Sequence, residues 1–501
     1  MKSEEIIVVG AGIAGLTSAA ILSNLGFKVI LIESHHQSGG CAGTFKRKKY
    51  IVDVGATQVA GLEEGGVHYR IFKYLKVSIP KASILDPACI VDLNDGAPPI
   101  HLWYDNEKWL LERKAQFPGS EVFWNICSLV HKANWKFANR NPVIPIRNIW
   151  DFTQFTKALN PQNLATGILL KMSIYDLLTA CGCNKDKRLI NFLNLQLKLY
   201  SQENVYNTAA LYGCTVLQMP QKPHGLWHLD KSMQQLSKVL EDFLRQSKID
   251  MRFGEKVSLM TFDRKTKYWH ITTTKNNLKN KYCANDIIFS PPPQSLKTLL
   301  DKGDLNNKGY LNKLNKLPNP TGALVFYSAI NKTYVESIQS NHYQFAHEEL
   351  GSLFISISED GDGRAPEGQV TLIASLFTDS SEWINLSKEE YQIKKQNFLN
   401  KVSSAIEEKF KIGKDNWLHR ELATPLGFQR WTNRPNGIVG GLGQNPSSFG
   451  LFGLPSRTPL EGLWLCGDSI YPGEGTAGVS QSAIMAVRQL LASRGLPDLD
   501  I

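Results

Sequence analysis

The chain has 501 residues, 42% of them hydrophobic and 20% charged, with no internal repeat or low-complexity linker. That composition excludes a disordered or fibrous polymer and leaves room for roughly two to three domains. Lysine and arginine outnumber aspartate and glutamate by 56 to 46, a net charge of +10, but they sit in dispersed groups such as residues 46–49, 185–188 and 275–281, without the basic helix or aromatic-basic motif that a nucleic-acid partner requires.

Residues 6–9, Ile-Ile-Val-Val, form an apolar run suited to a buried parallel strand. Gly10, Gly12 and Gly15 follow as G-x-G-x-x-G and open a helical run that ends near Gly26, and residues 27–32 read as a second strand. Each glycine has a mechanical role: Gly10 for the tight turn, Gly12 for backbone approach to a pyrophosphate, Gly15 for close packing of helix on strand. The helix N-terminus offers free N–H groups and partial positive charge to that pyrophosphate. Glu33 ends the second strand, where an acid accepts from ribose hydroxyls and repels a 2'-phosphate. A bare G-x-G-x-x-G also occurs in turns that bind nothing; strand, helix, strand and terminal acid in register favour a dinucleotide cradle.

A second glycine-rich loop, Ser38-Gly39-Gly40-Cys41-Ala42-Gly43, comes directly after the acid, and residues 50–57 read as a strand entering another small-residue turn. An extended FAD needs such close backbone approach more than NAD does. From about Gly61 to Pro223 the chain turns aromatic and mixed. There Leu189, Phe192, Leu193, Leu197 and Tyr200 recur at helical spacing, either as core or as one wall of a long apolar tunnel. Met233, Leu236, Leu240, Phe243 and Leu244 share a helical face, and residues 249–253, 256–260, 269–274 and 287–290 are strand candidates, the last ended by Pro291, Pro292 and Pro293. Further strands are expected near residues 323–330 and 370–377, and a helix near 388–410.

The closing stretch carries the second strong pattern. Residues 463–466 form an apolar strand running into Gly467-Asp468, and Pro472-Gly473-Glu474-Gly475-Thr476-Ala477-Gly478 leads into a small-residue helix. The carboxylate of Asp468 is a suitable acceptor for ribityl hydroxyls, and the helix behind the glycines aims its positive end at a flavin's pyrimidine oxygens. Together with the N-terminal cradle this makes FAD the expected cofactor. The expected contacts are Gly10, Gly12, Ala14, Gly15, Glu33, Gly39, Gly40, Val257, Gly467, Asp468, Gly475 and Ala477. Two half-sites so far apart in sequence require a discontinuous Rossmann-type domain, residues 1–85, 224–295 and 455–501, with an inserted mixed α+β substrate domain, residues 86–223 and 296–454; the fold class is α/β.

These motifs, with Asp53-Val54-Gly55-Ala56 and Cys466-Gly467-Asp468, resemble the FAD-dependent phytoene-desaturase-like family, which includes carotenoid isomerases and retinol saturases and is related to amine oxidases. The finer resemblance, over residues 53–63, 113–121 (RKAQFPGSE), 195–202 and 473–483, is to the carotenoid C-3',4'-desaturases of photosynthetic bacteria that make myxoxanthophyll. It implies a lipophilic carotenoid substrate drawn from a membrane, hydride loss from an allylic carbon to the flavin, proton loss from its neighbour, and a quinone or oxygen as electron acceptor. Alternatives are a carotenoid cis-trans isomerase, a non-catalytic prenyl- or lipid-binding protein, and, less favoured, an amine oxidase. Glu474 is the candidate proton acceptor, Glu63 and Glu64 weaker ones, and His224 and His228 read as packed or surface histidines. Eight cysteines without a C-x-x-C pair argue against zinc or a redox dithiol. Neither a signal peptide nor 18 uninterrupted apolar residues is present, so the expected location is cytoplasmic with peripheral membrane association.

Overall fold

The computed structural model describes residues 5–301, 303, 308–318 and 321–501. Its central sheet has five parallel strands in the order Leu463–Leu465, Asp286–Phe289, Glu5–Val9, Lys28–Glu33 and Asp250–Phe253. The inner strands Asp286–Phe289 and Glu5–Val9 are nearly continuous apolar runs because both faces are covered, whereas the edge strand Asp250–Phe253 exposes Arg252. Ile6 and Val8 pack among the helices Ile13–Asn24, Gln234–Gln246 and Gly475–Ser493. Ile7 and Val9 pack instead toward Trp269 and Ile271 of an antiparallel three-stranded sheet, Lys256–Asp263, Tyr268–Lys275 and Leu278–Ala284.

The charged group at residues 275–281 is exposed, as expected of solvated surface, and spans the turn and the start of that third strand. Asn276 and Asn277 take φ of 50° and 64°, the left-handed pair of a tight hairpin turn, and the lysines beyond them project from an outer strand. Lysine on such an edge discourages pairing with another chain.

A second, seven-stranded sheet runs in the order His419–Ala423, Gly322–Asn331, Gln369–Thr378, Gly351–Ile357, His342–His347, Ile90–Asp92 and Ile100–His101. All its pairs are antiparallel except Ile90–Asp92 with His342–His347. One face buries Leu324, Phe326 and Leu372 under the helix Lys388–Phe410. The opposite face packs Tyr327 and Ile373 on Val52 of the hairpin formed by Thr44–Arg47 and Tyr50–Asp53. A helical layer from Asn106–Gln116 to Ala210–Val216 centres on Trp109, Phe117, Trp124 and Phe192, four rings within 6.4 Å of one another in most pairs.

A buried ionic knot ties hairpin, loop and strand together. Arg364, 3% exposed, reaches Asp53 at 3.3 Å and Asp362 at 2.5 Å, contacts His228 Nε2 at 3.0 Å and donates to the Leu229 carbonyl at 3.1 Å. Asp53 in turn accepts from Thr44 Oγ1 and the Met233 N–H. Its charge therefore serves the join and not the cofactor.

Candidate active site

At the carboxyl ends of the parallel strands lies a cleft of about 590 Å³. Gly10, Gly12, Ala14, Glu33, Gly39, Gly40, Val257, Gly467, Asp468, Glu474 and Gly475 line it. Gly15 and Ala477 do not. Gly15 sits where a Cβ would stand 1.8 Å from the Gly10 carbonyl oxygen, so only glycine lets the helix close on the turn. Gly12 is different: a Cβ there meets no protein atom within 4 Å. Protein packing gives no reason for glycine at that point, whereas a bound group pressing on the backbone does. The second glycine loop lies against the first, Gly39 N–H donating to the Ala11 carbonyl at 2.8 Å.

Two helices begin at this cleft, Ile13–Asn24 and Gly475–Ser493, and neither has a side-chain cap or an acidic residue in its first turn. Their free N–H groups suit an anion and an electron-rich ring edge. Gly478 repeats the Gly15 device, its Cβ position 2.5 Å from the Gly473 carbonyl oxygen. Glu33 is fixed at the strand end by the Ala11 N–H on Oε2 at 2.6 Å and the His35 N–H on Oε1 at 2.7 Å. Asp468 is held by Arg434, whose Nη2 donates to it at 2.8 Å while its other N–H groups hold the Ile438 and Gly440 carbonyls. Open space at Gly12, two uncapped helix ends and an acid at each end of the cleft form a donor and acceptor set that fits FAD.

A second cavity, about 430 Å³ and mostly apolar, lies beside the helical layer. Tyr200, Tyr212, Phe354, Phe449 and Tyr471 form part of its wall. The helical stripe read from the sequence divides accordingly. Leu189, Phe192, Leu193 and Leu197 are core, and Tyr200 faces the cavity. Cleft and cavity share Ala56, Glu474, Gly475 and Thr476.

Glu474 therefore stands at the junction of the two spaces. It occupies the N-cap of the last helix, yet its side chain caps nothing and turns to Gln202, whose Nε2 donates to Oε1 at 2.8 Å. Gln202 is placed by a left-handed turn, φ 61°, that ends the helix Lys187–Ser201, and its own Oε1 accepts from Thr321 Oγ1 at 2.5 Å. Burial, reinforced by repulsion from Asp468, pushes the Glu474 carboxyl up to about 8, against the pull of Gln202 and Arg434. Glu63 lies elsewhere, paired with His224 Nδ1 at 2.9 Å, and Glu64 is exposed. His224 packs its ring on Trp135, and His228 belongs to the ionic knot.

Gln202 and Arg434 are the candidate-site residues that no motif marks. Gln202 ended a recognised segment without a role; Arg434 had only a glycine-rich neighbourhood to mark it.

Residues 8–75 match the model of the NAD(P)-binding Rossmann-like domain. Over 98% of this chain, prolycopene isomerase 1, chloroplastic, of an Oncidium hybrid cultivar is 25% identical, with 84% of that protein covered. Prolycopene isomerase, chloroplastic, of Arabidopsis thaliana is 24% identical over 98% of the chain and 83% of its own length. All-trans-retinol 13,14-reductase of Homo sapiens is 27% identical over 24% of this chain and 20% of its own. Among solved structures, an oxidoreductase from Methanosarcina mazei superposes with a TM-score of 0.63 at 14% identity, covering 96% of this chain and 99% of that one. Putrescine oxidase bound to putrescine gives 0.62 at 14% identity, covering 98% and 99%. The chain thus has a mixed α/β fold with a Rossmann-like dinucleotide-binding unit, shared with oxidases over nearly its whole length.

Proposed function

We propose that the protein is an FAD-dependent oxidoreductase that desaturates an acyclic carotenoid end, introducing the C-3',4' double bond. One observation carries this reading: an apolar, aromatic-walled cavity adjoins the dinucleotide cleft and shares Glu474, Gly475 and Thr476 with it as common lining. The prolycopene isomerases that align along the whole chain support carotenoid as substrate class, and the resemblance at residues 53–63 and 473–483 supports desaturation. The division into cofactor segments 1–85, 224–295 and 455–501 and substrate segments 86–223 and 296–454 belongs to the same proposal.

Bound FAD supplies a two-electron acceptor for the hydride leaving an allylic carbon. Gly10, Gly12, Gly39 and Gly40 would hold its phosphates, Glu33 its ribose, and Asp468 and the helix Gly475–Ser493 its ribityl and ring end. The cavity wall holds the polyene, excludes water and aligns the reacting carbons. Glu474, far more basic than an ordinary carboxylate, accepts the proton from the adjacent carbon, so that a C–C single bond becomes a double bond with two hydrogens lost. Gln202 fixes the carboxyl group, and Arg434 holds Asp468. Regeneration passes the electrons to a quinone or oxygen.

The full-length alignment to prolycopene isomerases favours a second reading, cis-trans isomerisation at the same site without net oxidation. Co-expression with acyclic and monocyclic carotenoid precursors separates the two. Loss of two hydrogens with a red-shifted spectrum is the desaturase outcome; unchanged mass with an altered spectrum assigns the isomerase and overturns desaturation.

A further inference from the structure

One wall of the apolar cavity backs onto an unusual surface. Phe155 and Leu159, with Thr166, Gly167 and Leu170 from the next turn, line the cavity on one side. On the outer side of the same elements, the helices Ile149–Ala158 and Pro161–Thr166 and the turn Gly167–Leu169, Ile149, Leu164 and Ile168 are 85%, 70% and 80% exposed. Phe152 and, from the facing turn, Phe452 are exposed as well. Side chains of this size in water are costly, and their gathering in one place marks a contact surface.

Charge says what kind of surface meets it. Across residues 122–175 six basic side chains, Lys132, Lys136, Arg140, Arg147, Lys157 and Lys171, are all exposed. Within that segment the one acid is Asp151, fully buried against Arg457 at 3.3 Å, and exposed acids stand only at its two ends, Glu121 and Asp176. The segment is one packed unit: Asn163 donates to the Ala133 carbonyl at 3.2 Å, Arg140 to the Leu159 carbonyl at 2.9 Å, and Phe137 meets Phe155 at 5.9 Å. The Lys171 ammonium lies 5.8 Å from the Phe452 ring. Among the described residues no helix is long and apolar enough to cross a membrane. Exposed apolar side chains amid an excess of basic ones are the pattern of an interfacial contact with anionic lipid.

We infer that this face, the helices Ile149–Ala158 and Pro161–Thr166 with the turns at Ile168 and Phe452, docks on an anionic bilayer and sets that wall of the cavity against the acyl region, so that a lipophilic substrate enters without crossing water. The inference rests on the proposed lipophilic substrate for its purpose, though not for its geometry. Apolar side chains enter the interface, and the flanking lysines and arginines meet the headgroups.

Co-flotation of the full-length, flavin-loaded protein with phosphatidylcholine vesicles, with and without about a third phosphatidylglycerol, tests it. Wild type floats with the anionic vesicles and dissociates as salt is raised. The triple variant Ile149→Ser, Leu164→Ser, Ile168→Ser binds at least tenfold more weakly, and Lys136→Glu, Lys157→Glu and Lys171→Glu each lower binding about fivefold or more. Leu278→Ser with Ile393→Ser, exposed apolar positions elsewhere, leaves binding unchanged. Absence of wild-type binding to any vesicle overturns the docking face, as does wild-type affinity in the triple variant or an equal loss in the control. A parallel readout keeps the two proposals apart. Carotenoid conversion in detergent micelles survives in every variant, while conversion from vesicles falls in the triple variant. Conversion without vesicle binding sinks the docking face alone; vesicle binding without conversion in micelles sinks the reaction alone.

Discussion

Replacing Glu474 by glutamine removes a charge that the junction of cleft and cavity suppresses, and the cost of that suppression can be worked from the site. The carboxyl group moves from an ordinary value of 4.5 to about 8, with burial as the main cause. Between those values the unfolded chain releases the proton and the folded one keeps it, so wild-type stability falls as pH rises. The cost is absent below the ordinary carboxylate value, grows by about 1.4 kcal/mol per pH unit and levels off above about 8, which makes about 3 kcal/mol at pH 7. Glutamine has the same shape, can keep a hydrogen bond to Gln202 and carries no such cost. Glu474→Gln is therefore expected to be more stable than wild type by about 2–3 kcal/mol at pH 7 and equal to it near pH 4. Urea unfolding of both proteins across that range measures the gap. In turnover assays wild type shows an ionisation near pH 8 that the variant lacks, together with a loss of about 100-fold or more in rate. A stability gap that stays constant with pH, or an unchanged pH profile, refutes the reasoning.

Other substitutions probe the remaining parts. Gln202→Asn keeps a residue that tolerates the left-handed turn but shortens its reach, so the ionisation seen in the rate profile moves to higher pH, because the lost hydrogen bond favours the charged carboxylate. Gly12→Ala points its methyl into open space and should leave stability within about 1 kcal/mol of wild type, the loss of a good N-cap residue included, while flavin absorbance per chain drops sharply. Gly15→Val drives its side chain onto the Gly10 carbonyl and should lower both stability and flavin content; comparing the two proteins by thermal unfolding and absorbance separates packing from ligand contact. Arg364→Met leaves Asp53 and Asp362 buried without their cation and should cost about 3–5 kcal/mol in urea unfolding.

Much of this architecture is readable from local patterns. The strand at Glu5–Val9, the helix Ile13–Asn24 and the strand Lys28–Glu33 follow from an apolar run, three glycines and an acid, because each of those residues has a steric or electrostatic task set within thirty positions. The strand Leu278–Ala284 was hidden by lysines whose backbone pairs while their side chains face water. The partnership of Gln202 with Glu474 spans 272 positions, and that of Arg434 with Asp468 depends on a loop folding back across the cleft. No periodicity encodes either contact. The ionic knot was equally silent: Asp53 reads as part of a conspicuous motif, but only the fold brings Arg364 to it from 311 residues away.

In the proposed reaction an acyclic polyene lies in the apolar cavity with its reacting carbons at the Glu474 junction, beside bound FAD. Anaerobic mixing of the flavin-loaded protein with an acyclic carotenoid in a single turnover tests this most directly. The flavin absorbance is expected to bleach while one double bond forms per flavin reduced. A flavin that stays oxidised while the carotenoid keeps its mass would contradict that reaction.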